Sequence, residues 1–188
     1  MWINIYPRIF FHVFTSFVYS LLNVTFVPPL TFLSFLIFEY ADGTVLNEGL
    51  SVHLYLSSLN PSAGLVPAYG TKEFFVFAND FSFVGTEIHA RLYGPQFNPN
   101  LSAEVKTSLK EAASAKLFPF FTDKMLGEKH FLGGDAPNSA DIYMYICLSW
   151  SGYVGLTLPP KVQAYYERVK AVPFVAEGHG KIATYKSA

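Results

Sequence analysis

The sequence predicts a mostly helical protein, in which an apolar N-terminal segment and a small strand–turn–strand–helix unit precede about five helices. Three observations predict it. Between Arg8 and Glu39 lie thirty residues without a single Lys, Arg, Asp or Glu. Asp42-Gly43 then stands between two short β-type runs as a two-residue hairpin signal, with Gly supplying the positive φ such a turn needs. From Gly70 onward, apolar residues recur at helical spacing between Gly and Pro breaks.

The apolar opening comes first in the chain. Ile9–Val27 is long enough to cross a bilayer as a helix, and Pro28-Pro29 would end it. Three readings of this stretch stand: a layer internal to the fold, a membrane anchor, and a secretion signal with Arg8 as its thin basic start. No small-x-small cleavage site follows, which counts against the last. Leu30–Phe38 is too short for a second crossing and reads as a buried strand.

Phe35–Tyr40 and Thr44–Leu46 are expected to pair antiparallel around Asp42-Gly43. Asn47 is the expected cap of a helix over Glu48–Leu59, with Leu50, His53, Leu54 and Leu56 on one side. "NPSAGLVPAYG" is a Pro/Gly/Ser connection and the expected domain boundary, dividing 39–66 from 69–188, with 1–38 as an atypical leading segment. Thr71 opens a helix running to Gly94, with Phe75, Asn79 and Phe83 in one row and Ser82, Thr86 and His89 in another. "GPQFNPN" breaks it. Ser102 caps the next, with Val105, Leu109, Ala112 and Ala113 as its apolar stripe and Lys106, Lys110 and Glu111 facing water. Pro119 is expected to kink or end that helix.

Asn138 and Asp141 have the spacing of a capping box, with Pro137 and Ile142 as a hydrophobic staple. The helix they start is almost wholly apolar, so it should be buried on most sides. Pro159-Pro160 start another, with Val162, Tyr165, Val169 and Val172 inward and Lys161, Glu167, Arg168 and Lys170 outward. Pro173 is expected to close it, leaving "GKIATYKSA" loosely held.

Composition narrows the function. Residues 39–188 carry 26 of the 27 charged residues, an ordinary globular content, and the formal net charge of −1 makes no electrostatic case for nucleic acid. Cys147 is the only cysteine, which excludes an intramolecular disulfide and fits a reducing, cytoplasmic location. The five His are scattered without metal-ligand spacing, so no metal site is expected.

"DGTVLNEG", "GTEIHARL", "FLGGDAPNSADIYMYICLSW" and "QAYYERVKAVPFV" resemble, in order and spacing, the bacterial beta-type glutathione S-transferases, across roughly Asp42 to Gly180. The resemblance implies an all-helical C-terminal domain preceded by a truncated thioredoxin-like α/β remnant of hairpin plus helix. It implies glutathione as co-substrate, a small hydrophobic electrophile as its partner, and a homodimer. Glu48 and Gly49 match the pair that binds the γ-glutamyl end; on the residues alone, they are also what a helix N-terminus favours. His89 matches the histidine directed toward the glutathione sulfur, where an imidazole assists the thiolate. Ser82 and Thr86 match polar contacts on the same face. Ser82 stands where Asn is usual, and Ala90 where Lys is frequent.

The chain also departs from the pattern. The expected Val-Pro falls on Phe35-Leu36, and the family's N-terminal cysteine has no counterpart. Tyr6 lacks the strand context in which other classes use an N-terminal tyrosine. Asn138 and Asp141 read as structural, and Cys147 as a buried, inert thiol. Two functions follow: a transferase with His89 as its catalytic residue, or a non-catalytic helical binding or dimerisation module. Either could be membrane-anchored, and only through residues 9–27.

Overall fold

The computed structural model describes residues 38–40 and 42–185. The run Ile9–Val27, the segment Leu30–Ile37, Tyr6 and the Phe35-Leu36 position lie outside the described residues. The chain divides into two compact units, Met1–Val66 with Ala171–Ala188, and Pro67–Lys170.

In the first unit, β1 (Phe38–Glu39) pairs antiparallel with β2 (Val45–Leu46), Phe38 opposite Leu46 and Glu39 opposite Val45. The connection is wider than the expected two-residue turn. Gly43 N–H donates to the Tyr40 carbonyl and Tyr40 N–H to the Thr44 carbonyl, so the loop closes as a turn followed by a glycine bulge. Gly43 takes the left-handed φ of 85° that this bulge requires. Asp42 Oδ1 accepts from Thr44 N–H at 2.9 Å, a local bond that favours the longer loop.

Helix α1 is Gly49–Leu59. Its N-cap is Glu48, in extended geometry and without a side-chain capping bond, and not Asn47 as expected. The backbone leaving β2 stays extended one residue too far for Asn47 to reach the first turn. The buried face is Val52, His53 and Leu56, whereas Leu50 and Leu54 are half-buried. A single turn of 3-10 helix, Pro61–Ala63, follows.

His53 is 3% exposed, and burial pulls its imidazole down from 6.5 to about 3. Between those values the unfolded chain binds a proton that the folded chain refuses. The stability of the neutral ring is therefore whole above pH 6.5 and falls below it by up to about 1.4 kcal/mol per pH unit. Urea unfolding at pH 7.5 and pH 5 should show the loss, and His53→Leu should reduce its slope. An unchanged slope in the variant refutes this account.

The second unit opens with α2 (Lys72–Phe83), capped by the Thr71 side chain, which accepts from Phe74 N–H at 3.2 Å. It continues without a break into a π-helical stretch, Val84–Tyr93, and then α3 (Gly94–Phe97). The helix thus passes the Gly94-Pro95 expected to stop it. In the wide turns Gly94 N–H reaches back to the His89 carbonyl, so the missing Pro95 donor falls where the helix is already changing pitch. The inward row is Phe77, Phe81, Val84, Ile88 and Leu92, while Phe75 and Asn79 stay outside.

Helix α4 (Ala103–Phe120) begins at the Ser102 cap and carries Pro119 inside, running on as a π-helical stretch Phe121–Leu126. Its apolar side differs from expectation. Ala113, Leu117, Phe118 and Phe121 are buried, but Val105 and Leu109 are 43% and 42% exposed. The buried row lies in the second half of the helix, and α4 packs against the Val84–Tyr93 stretch. Lys110 does not simply face water: its Nζ donates to the Val154 and Gly155 carbonyls at 2.7 and 3.2 Å.

Helix α5 (Ser139–Ser149) is buried from Ser139 to Leu148 and packs against α2, the Val84–Tyr93 stretch and α6 (Pro160–Lys170). On α6, Val162, Tyr165 and Val169 point inward as expected. Arg168 is drawn from water by a bond from Nε to the His130 carbonyl at 2.9 Å. Pro173, expected to close this helix, instead opens α7 (Pro173–Tyr185), because a first-turn proline sacrifices no helical bond. No helix of the described residues is long and apolar enough to cross a membrane.

Candidate functional site

The π-helical stretch places the candidate side chains of the second unit. Ser82 lies in the last turn of α2 and is exposed; Thr86, also exposed, donates its hydroxyl to the Ser82 carbonyl at 3.1 Å. His89 turns inward. Its Nδ1 lies 2.6 Å from the Tyr143 hydroxyl, and its ring meets Tyr143 and Trp150 edge-on at 5.8 and 5.2 Å. The ring is half-buried, and burial pushes its basicity below the usual value, so the imidazole is neutral at neutral pH. A neutral imidazole carries one donor and one acceptor, and here it is held between two aromatic side chains.

Both aromatics come from α5 and its C-terminal end, and the start of α5 fixes their height. Asn138 Oδ1 accepts from Ala140 and Asp141 N–H, while Asp141 Oδ2 accepts from Asn138 N–H at 2.9 Å, completing the capping box. Asp141 does more than cap. It is fully buried and also accepts from Leu132 N–H at 2.7 Å, Gly133 N–H at 3.1 Å and the Tyr165 hydroxyl at 2.7 Å. Burial pushes its carboxyl up, and the donors, Asn138 N–H first, pull against it. Gly133 must stay bare, since a Cβ there would overlap the Ala136 carbonyl.

An aromatic chain extends from His89 that the sequence reading did not single out. Phe81 lies 5.0 Å from Tyr143; Tyr93 and Phe97 meet Trp150 at 5.6 and 5.8 Å; and Tyr153, 68% exposed, stacks on Phe97. Tyr93 shares a 2.5 Å hydrogen bond with Ser151. The available signal was the two-turn spacing of Tyr143 and Trp150 on a helix whose start is marked by Asn138.

Glu48 and Gly49 form a separate group in the first unit, at the N-terminus of α1, with Glu48 exposed. Cys147 is fully buried and burial pushes its thiol well up, so it offers no ready thiolate.

A family model described as glutathione S-transferase, C-terminal domain, matches residues 83–173. The chain is 25% identical over 138 residues to Glutathione S-transferase GstA of Escherichia coli O157:H7, covering 72% of this chain and 67% of that one. A solved glutathione transferase from Methylococcus capsulatus str. Bath is similar at a TM-score of 0.72 and 29% identity, covering 79% of this chain and 73% of its own. A bacterial beta class glutathione S-transferase from Sphingomonas chungbukensis is similar at 0.65 and 26%, covering 78% and 72%. Residues 83–173 of the chain form a glutathione S-transferase C-terminal domain. That domain includes Thr86, His89, Tyr143, Trp150 and the Asn138–Asp141 cap. Ser82 lies immediately before it, and Glu48 and Gly49 lie well outside.

Proposed function

We propose that the protein is a glutathione transferase of beta-type descent that conjugates glutathione to small hydrophobic electrophiles. Residues 39–66 are then the remnant of the thioredoxin-like domain, and 69–188 the helical domain. The observation that carries the reading is the His89 imidazole tied to Tyr143 beside Trp150, one turn beyond the exposed Thr86 and two turns beyond the exposed Ser82, with burial lowering its basicity. In the reaction the glutathione thiol gives up its proton to solvent water, the sulfur forms a bond to an electrophilic carbon, and the leaving group departs with its electron pair. The thiolate must be favoured near neutral pH. With Cys147 buried, that work falls to donors such as His89, Ser82 and Thr86. Glu48 and the first-turn amides at Gly49 hold the γ-glutamyl end, the carboxylate taking its ammonium group and the amides its carboxylate. A reducing, cytoplasmic compartment supplies the co-substrate.

Retention on immobilised glutathione tests the reading. Wild type should be retained and eluted by free glutathione, and Glu48→Ala should bind about tenfold more weakly or worse, as loss of a charged hydrogen bond predicts. Absence of retention in the wild type ends the transferase reading.

A non-catalytic binding or dimerisation module is the second reading. It is favoured by the absence of any reactive cysteine and by the exposed Phe75, Val76, Val105, Leu109 and Phe120. Those side chains also suit the homodimer that the family resemblance implies, and sedimentation of wild type against Leu109→Glu distinguishes dimer from monomer.

A further inference from the structure

We propose that Tyr143 is a positioning residue: its hydroxyl donates to Nδ1 of His89 and so fixes the imidazole as the tautomer protonated on Nε2. The inference deepens the transferase reading, on which its catalytic meaning rests, because it makes His89 a hydrogen-bond donor toward sulfur and not a base for the thiol.

Three observations converge on it. The 2.6 Å separation is that of a well-formed hydrogen bond between groups distant in sequence. A phenol is a stronger donor than acceptor, because its lone pair is drawn into the ring, and a neutral imidazole offers one unprotonated nitrogen. Tyr143 itself is nearly buried, between Phe81 on one helix and the His89 ring on the next stretch. It sits two residues after Asp141, whose bonds to Leu132, Gly133, Asn138 and Tyr165 hold the start of α5. The phenol therefore has a fixed origin, and the imidazole is steadied on a second side by Trp150. A carboxylate or carbonyl partner at this place would accept from Nδ1–H and impose the opposite tautomer. A phenol reverses that choice.

The test is nitrogen NMR of the full chain labelled at histidine, with His89→Gln used to identify the resonance. Above the titration of the ring, wild type should show an unprotonated, hydrogen-bonded Nδ1 and a protonated Nε2. In Tyr143→Phe the hydrogen-bonded Nδ1 signature should be lost, with the Nδ1 resonance moving downfield toward that of a bare pyridine-type nitrogen. A merely structural tyrosine would change the melting temperature and leave that resonance in place, as Trp150→Phe is expected to do. Either of two results overturns the proposal: an Nδ1–H tautomer in wild type, which needs no variant to detect, or an Nδ1 resonance unmoved by Tyr143→Phe. Glutathione retention measured on the same proteins judges the transferase reading separately, since the tautomer is read without ligand.

Discussion

Asp141→Ala should destabilise the helical unit by on the order of 5 kcal/mol, enough to unfold many domains at ordinary temperature. The reason is arithmetic on donors. The carboxylate accepts from three backbone amides and the Tyr165 hydroxyl, all close to its buried position. Each buried donor deprived of its acceptor costs about 1–3 kcal/mol, and none can turn to water without moving backbone. Asp141→Asn should fall between, since it keeps one acceptor oxygen and confronts the other donors with an amide. Urea denaturation followed by circular dichroism measures both. A shift below 1 kcal/mol for Asp141→Ala would mean that the four bonds contribute almost nothing net.

His89→Ala should lower the rate of conjugation to a chromogenic aryl halide by about 10²-fold, the usual loss when one donor to a developing or resident negative charge is removed. Stability should change less than in Asp141→Ala, because the ring is only half-buried. The pH dependence carries a second expectation. Burial lowers the basicity of His89, so the ring stays neutral from neutral pH down to below its usual titration point. Conjugation should therefore lack an inflection from His89 near 6.5. If the variant conjugates at the wild-type rate, His89 has no part in the chemistry.

Much of this was legible where the physics is local. The Asn138–Asp141 box depends on residues three apart, and Thr71 and Ser102 cap through bonds to the third following residue, so sequence shows them directly. The uninterrupted helix through His89 followed from periodicity. What sequence could not show depends on partners far along the chain. Tyr143 meets His89 across 54 positions, and Lys110 meets Val154 across 44. The Val105 and Leu109 stripe failed for the same reason: helical periodicity marks an apolar face without saying how much of it the fold covers. Pro173 was ambiguous in principle, because proline ends one helix and begins another with equal ease.

The π-helical stretch Val84–Tyr93 also bears on how this region tolerates change in chain length. An ordinary α-helix that loses one residue rotates everything beyond the cut onto a new face. A helix whose amides already reach back five residues, as Gly94 reaches His89, holds one residue in reserve for each such widened turn. A single deletion just after His89 should be absorbed by tightening to the common pitch, leaving Leu92 and Tyr93 on the core side. The same deletion in the regular turns of α2 has no such slack, and would swing Phe77 or Phe81 out of the interior.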